Sequence, residues 1–373
     1  LASAAMSRRR VPAATVLLLA ASLLVAACGG GDSAAEGGGA RSTTTSTATT
    51  TTAPGPVPSP GCGATVAAPV TVERRTVDVD GTQRWYLLTT PPGRQAGTPL
   101  PLVVDFHGLA EGAEVHARMS SFAELGRKEG FVVAQPNGSG TPVGWKVALH
   151  DNPDLTFIDA MLARIGRDVC IDTSRVYATG LSNGAFVSST LACARANEFA
   201  AVAPVAGVTF PDGCQTDRPV PVLAFHGTAD PILYFNGGVG DLGGLTGGRT
   251  SADAVSVPAP DLDGAGYPAN VRSWAAHNGC DPTPTDTEVS PTVVHRVYSC
   301  PQGADVEFYV LEGGGHSWPG SAFSQSIARI VGPTNMDVDA TALTWRFFGR
   351  FLRPSRGPGG GDLGQLGGGL LGL

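Results

Sequence analysis

The sequence predicts an α/β fold, a mainly parallel central sheet with helices on both faces, and three observations carry that expectation. Short, solid apolar runs recur at Leu102–Phe106, Phe131–Ala134, Val176–Thr179, Ala201–Val205, Val222–Phe225 and Val306–Leu311. Such runs suit strands buried on both faces. Helix-like stretches lie between them, among them ARMSSFAELGRKEG, TFIDAMLARIGRD and GAFVSSTLACARAN. Strands that alternate with helices are joined by crossovers and therefore run parallel. Ahead of these, TVDVDGTQRWYLLTTP alternates around Asp80-Gly81, the signature of a β-hairpin turn. One sheet takes up the whole body, so one domain is expected.

The two ends of the chain read differently from that body. Arg8-Arg9-Arg10 precedes VPAATVLLLAASLLVAAC, an apolar run short for a bilayer span that matches the charged and apolar parts of a secretory signal. The run ends in Val25-Ala26-Ala27-Cys28, which resembles the lipobox of bacterial lipoproteins. Residues 1–27 are therefore expected to be a signal, removed to leave Cys28 lipidated. The protein is expected to be exported, and either anchored in the membrane through Cys28 on the extracellular face or secreted. Residues 28–60 are rich in Gly, Thr and Pro, bury almost nothing, and read as a disordered tether. Residues 355–373 read as a disordered Gly-rich tail, leaving 61–354 as the folded domain.

Charge narrows the partners. The chain carries 25 basic and 32 acidic residues, for a net charge of −7. Loss of residues 1–27 removes three arginines and no acid, leaving 22 bases against 32 acids and a net −10. An acidic surface argues against nucleic acid or anionic lipid as a partner, since both require clustered Lys and Arg. Apart from Cys28 there are six cysteines, an even number in a chain expected to be exported, and disulfides are the expectation. No CxxC or HExxH spacing suggests a metal site. Cys280 and Cys300 flank a segment whose Val293–Tyr298 reads as a returning strand, and closing that loop is worth roughly 3 kcal/mol in the chain-entropy picture. Cys193 with Cys214 is a second pairing on weaker grounds.

The chemistry centres on Gly180-Leu181-Ser182-Asn183-Gly184. This G-x-S-x-G follows the strand RVYAT and precedes the helix NGAFVSSTLACA, the context in which a strained turn exposes a nucleophilic serine. A serine hydroxyl needs a base, and the base needs an orienting acid. Asp230 lies just past the strand in VLAFHGTADPI, and His316 lies just past another in VEFYVLEGGGHSWPG. Serine, acid, histidine is the chain order of the α/β-hydrolase fold, and strand ends are where open α/β sheets build sites. His107 and His226 each precede a glycine at a strand end, where a histidine is suited to bonding backbone and shaping a loop. The backbone N–H of Asn183 and that of Leu109, in the loop after PLVVDF, are candidate oxyanion donors, with Gly108 next after Leu109. Trp145 and Trp318 are candidate substrate-groove faces, although both also suit packing. Asp105 sits inside a solid apolar strand, where its carboxylate requires a partner that the sequence does not name.

The blocks DFHGLAEGA, EGFVVAQPNG, RVYATGLSNGAF, FAAVAPVAG, VPVLAFHGTADPI and GGGHSWPG resemble the polyhydroxybutyrate depolymerase-type esterase family, which includes feruloyl and acetylxylan esterases. The similarity spans about residues 74–352. It implies an α/β-hydrolase fold and a serine esterase using Ser182, Asp230 and His316 without metal or cofactor. Its substrate would be an ester, polymer-linked or polymeric: feruloyl or acetyl groups on polysaccharide, or hydroxyalkanoate oligomers. Ala185 and the segment VGWKV depart from many relatives, which carry a bulkier residue and GW-N there, and both bear on the acyl pocket. Two other functions fit the same residues: an envelope acyltransferase, and a surface-anchored binding protein that has kept the fold without the chemistry.

Overall fold

The apolar runs assemble into the middle of a single sheet. The computed structural model describes residues 55–63, 72–240, 242 and 258–354. Strands β1 (Glu73–Val79) and β2 (Thr82–Thr89) form the hairpin, turning through Asp80 at φ 50° and Gly81 at φ 79°. These left-handed values are ones that an Asp-Gly pair tolerates. Next come β3 (Leu100–Phe106), α1 (Ala113–Ser120), α2 (Phe122–Glu129), β4 (Val132–Pro136), α3 (Pro153–Asp168) and β5 (Ile171–Leu181). They are followed by α4 (Asn183–Ala194), β6 (Ala201–Val205), β7 (Val222–Gly227) and α5 (Tyr267–His277). The last elements are β8 (Thr285–Ser290), β9 (Val293–Tyr298), β10 (Val306–Leu311), α6 (Ala322–Ser326), α7 (Ala328–Val331) and α8 (Ala340–Phe348).

Among the described residues the sheet order is β1-β2-β4-β3-β5-β6-β7-β10-β9-β8. The six strands from β4 to β10 run parallel, flanked by antiparallel pairs at each edge. Alternate side chains feed two cores, as the period of a strand requires. Leu102, Val104 and Phe106 of β3 pack with Met161 and Ile165 of α3, Leu191 of α4 and Trp274 of α5. Val103 packs on the other side with Met119 of α1, Phe122 of α2 and Phe347 of α8. The architecture is thus the α/β-hydrolase type, with helices on both faces of a mainly parallel sheet.

Local chemistry sets the helix limits. Asn152 accepts the Asp154 N–H at 3.0 Å and Pro153 opens α3, a pairing of cap and first-turn proline. The helix expected across ARMSSFAELGRKEG is two helices, because Ser121 adopts a left-handed φ of 56° between α1 and α2.

The start of the folded body differs from the expected boundary. Residues 55–60, assigned to the tether, pack against it: Val57 N–H donates to Asp172 Oδ1 at 2.9 Å. The buried Ser59 hydroxyl donates to Val169 O at 3.0 Å and accepts from Ile171 N at 2.9 Å. A buried hydroxyl satisfied in both roles holds this polar segment where apolar burial alone would not. Cys62–Cys170 closes the same contact with a disulfide; Cys193–Cys214 and Cys280–Cys300 form the other two. The expected signal at 1–27, Cys28, the rest of the expected tether and the expected tail at 355–373 lie outside the described residues.

Candidate active site

Ser182 sits between β5 and α4 at φ 58° and ψ −118°, a conformation that costs a non-glycine residue on the order of 1–3 kcal/mol. Its flanking glycines make the turn possible. A Cβ on Gly180 would lie 2.5 Å from Phe106 O, and one on Gly184 only 2.1 Å from the same oxygen. The end of β3 therefore presses directly against the turn that presents the serine. Ser182 is 7% exposed, and its hydroxyl has no hydrogen-bond partner among the described residues, His316 included.

Asp230 and His316 are brought together. His316 Nδ1 lies 2.8 Å from Asp230 Oδ2, with both side chains buried. The other carboxylate oxygen accepts from Ile232 N and Leu233 N, each at 2.8 Å. Burial opposes ionisation of Asp230, but His316 and these donors outweigh it and hold the carboxyl below its usual range. An ionised carboxylate only accepts, so the His316 proton sits on Nδ1 and leaves Nε2 as the basic nitrogen. Ser182 follows β5, Asp230 follows β7 and His316 follows β10, all at the carboxyl ends of parallel strands within one stretch of the sheet.

The two other histidines at strand ends hold loops. His107 Nε2 accepts from Gly138 N at 2.8 Å, so its Nδ1–H donates to Gly108 O at 2.7 Å. Burial pushes its pKa down to about 4, keeping the ring neutral. His226 stacks on Tyr267 with centroids 3.9 Å apart and donates from Nε2 to Leu233 O at 2.9 Å. It too is pushed down by burial.

Both expected oxyanion donors are unpaired. The N–H groups of Asn183 and Leu109 have no acceptor among the described residues. Gly108 N–H, the next candidate, donates instead to Glu111 Oε2 at 2.6 Å. This loop lies over the serine, for a Cβ on Gly108 would be 3.5 Å from Ser182 Cβ.

Comparison with known proteins shows which family the chain resembles. The family model described as Esterase PHB depolymerase matches residues 84–243. The protein described as Probable feruloyl esterase C from Aspergillus niger is 31% identical over 215 residues, covering 56% of this chain and 75% of that one. The chain belongs to the polyhydroxybutyrate depolymerase-type esterase family. Feruloyl esterase B from Piromyces equi is 28% identical over 244 residues, 63% of this chain, which spans only 42% of that relative's length. Among solved structures, an acetyl xylan esterase from Aspergillus awamori gives a TM-score of 0.47 at 17% identity, over 66% of this chain and 94% of that one.

In this esterase-family chain the two tryptophans do not form the expected substrate faces. Trp318 is 1% exposed, packs edge-on to His116 and Phe122, and donates from Nε1 to Thr341 Oγ1 at 2.9 Å. Trp145 is 7% exposed and donates from Nε1 to His107 O at 2.9 Å. The Asn183 side chain clamps the Trp145 backbone, accepting from its N at 2.7 Å and donating to its O at 3.2 Å. Burial and satisfied indole N–H groups give both rings scaffold positions.

Asp105 finds its partners in a buried network. Its carboxylate accepts from His116 Nε2 at 2.7 Å, Ser120 Oγ at 2.6 Å and Gln135 Nε2 at 2.8 Å. His116 Nδ1 lies 3.2 Å from Glu111 Oε1. Burial disfavours the charged ring, but Asp105 and Glu111 outweigh it and push His116 up to about 10. A charged imidazolium therefore bridges two carboxylates, and the Glu111 end reaches Gly108. Sequence reasoning missed Glu111 and His116. The signal available was Asp105 itself, a carboxylate in an apolar strand that demands a nearby donor.

Proposed function

We propose that the protein hydrolyses carboxylic esters through an acyl-enzyme on Ser182. Ser182 Oγ attacks the carbonyl carbon as its proton passes to His316 Nε2, and Asp230 holds the ring and stabilises the imidazolium. The carbonyl oxygen becomes an oxyanion facing the Asn183 and Leu109 N–H groups, and the helix N-terminus at Asn183 adds to their effect. Collapse of the tetrahedral intermediate breaks the ester bond, and the alcohol leaves with the proton from His316. Water, deprotonated by His316, then attacks the acyl group and releases the carboxylic acid and the free serine.

The observation carrying this reading is the buried Asp230–His316 pair at 2.8 Å, held after β7 and β10 in the same run of parallel strands whose member β5 ends in the strained Ser182 turn. The feruloyl esterases among the relatives favour a polymer-linked acyl group, and hydroxyalkanoate oligomers are the other substrate class suited to the family. Three disulfides support export, and a lipid on Cys28 would hold the protein at the extracellular face of the cell membrane; globomycin should then leave an unprocessed precursor, and normal maturation in its presence would count against the anchor. Ser182→Ala should abolish turnover of a p-nitrophenyl ester and fluorophosphonate labelling while the protein stays folded. Substantial residual turnover would remove Ser182 from the nucleophile's role. Methyl ferulate, acetylated xylan and hydroxybutyrate oligomers, assayed side by side, distinguish the acyl groups.

A further inference from the structure

The loop that offers Leu109 N–H is pinned on both sides of one residue. Gly108 N–H donates to Glu111 Oε2 at 2.6 Å. Gly108 C=O accepts from His107 Nδ1 at 2.7 Å and from Glu111 N at 3.3 Å. In a planar trans peptide the carbonyl and the next N–H point in opposite directions, so fixing Gly108 C=O fixes where Leu109 N–H points. Ala110, the following residue, has a left-handed φ of 63°, a conformation that needs the loop around it to be held. Glu111 itself is not free to move, because His116 holds its other oxygen and Asp105 holds His116 from the floor of the sheet.

We infer that Glu111, braced by His116 and Asp105, is a positioning residue that aims the Leu109 N–H at the oxyanion. The inference rests on the esterase reading of the site above. A lone carboxylate this near a developing oxyanion would repel it, and the His116 imidazolium beside Glu111 offsets that field. The arrangement joins a rigid strand residue, Asp105, to the one loop that must not shift during catalysis. A displacement of about 1 Å in such a donor can cost on the order of 10²-fold in rate.

Glu111→Leu and Glu111→Gln test this together, with kcat and KM for a p-nitrophenyl ester and the inhibition constant of a phenylboronic acid. The boronate forms a tetrahedral adduct on Ser182 that places an oxygen at the oxyanion site. Glu111→Leu should lower kcat roughly 30-fold, with KM within about twofold, and weaken the boronate in the same proportion as kcat/KM. Glu111→Gln should recover most of that loss, since its carbonyl still accepts from Gly108 while its amide donates to a neutral His116. A folded Glu111→Leu protein that keeps kcat within about threefold overturns the inference, as does a kcat loss without weaker boronate binding. If Glu111→Leu does not fold, Glu111→Asp decides: its shorter carboxylate loses the bond to Gly108 N–H, so kcat and boronate affinity should fall in the same proportion, and a kcat within about threefold of wild type overturns the inference. Wild-type protein that fails to react with fluorophosphonate defeats the esterase reading and this inference together. Labelled wild type with an active Glu111→Leu defeats only the inference.

Discussion

Asp230 divides its carboxylate between two tasks: one oxygen accepts from Ile232 N and Leu233 N, and the other meets His316 Nδ1 at 2.8 Å. Asp230→Asn keeps the first task if its carbonyl stays with the two backbone donors. Its amide would then face His316 and force the ring proton onto Nε2, the nitrogen that must accept from Ser182. The expected loss in kcat is roughly 10⁴-fold with little change in melting temperature. Steady-state kinetics on a p-nitrophenyl ester and a thermal melt check both. A loss under tenfold would mean that Asp230 does not set the tautomer of the catalytic histidine.

Gly184 is required by space rather than by backbone angle. A Cβ there would stand 2.1 Å from Phe106 O and 2.7 Å from His107 O. Both are backbone atoms, which cannot swing aside as a side chain does. Gly184→Ala should destabilise the protein by about 1–3 kcal/mol or more, and should also lower kcat by shifting the start of the oxyanion loop. Gly63→Ala is the control, since a Cβ there meets nothing within 4 Å, and it should stay within about 0.5 kcal/mol in urea unfolding.

Much of the fold was legible because its central strands are buried on both faces and write solid apolar runs. Ala201–Val205 and Val306–Leu311 coincide with β6 and β10. Strand β8, Thr285–Ser290, was not legible: it is an exposed edge strand of sequence TDTEVS, with no apolar face to signal it. Ser182, Asp230 and His316 could be read because each carries a local strand-end context, in a known order. Glu111 and His116 could not, since their meaning depends on Asp105 being opposite them across the packed face. Trp145 and Trp318 misled because an aromatic beside a candidate site suits a groove and a core equally well until burial is known.

The Cys62–Cys170 disulfide, at a separation of 108 residues, joins the segment leading into the fold to the start of β5. Removing it with Cys62→Ala and Cys170→Ala should cost about 2–5 kcal/mol, because it closes a far longer loop than Cys280–Cys300, whose separation is 20. Guanidinium unfolding of the two double variants should place the Cys62/Cys170 variant lower. The reverse ranking would mean that the hydrogen bonds of Val57 and Ser59 already hold this segment without the bridge.

Stability should fall on both sides of neutrality, for opposite reasons at two buried histidines. His107 is pushed down to about 4 by burial, so the unfolded chain binds its proton first; stability is lost as pH falls from about 6.5 towards 4. His226 is shifted the same way and adds to that limb. Asp230 and Glu111 are held below their ordinary values, so their contribution is present above about pH 4 and disappears below it. His116 is raised to about 10 by Asp105 and Glu111 against the opposing effect of burial, so the folded state binds its proton more tightly. Its contribution is complete below about 6.5 and is lost as pH rises through 10. Thermal melts from about pH 4 to pH 10 should therefore peak near pH 6–7. His116→Gln should flatten the alkaline limb and leave the acid limb in place, because the proton that the folded state holds at high pH is then gone. An alkaline limb of unchanged slope in that variant would mean that His116 is not the group being titrated.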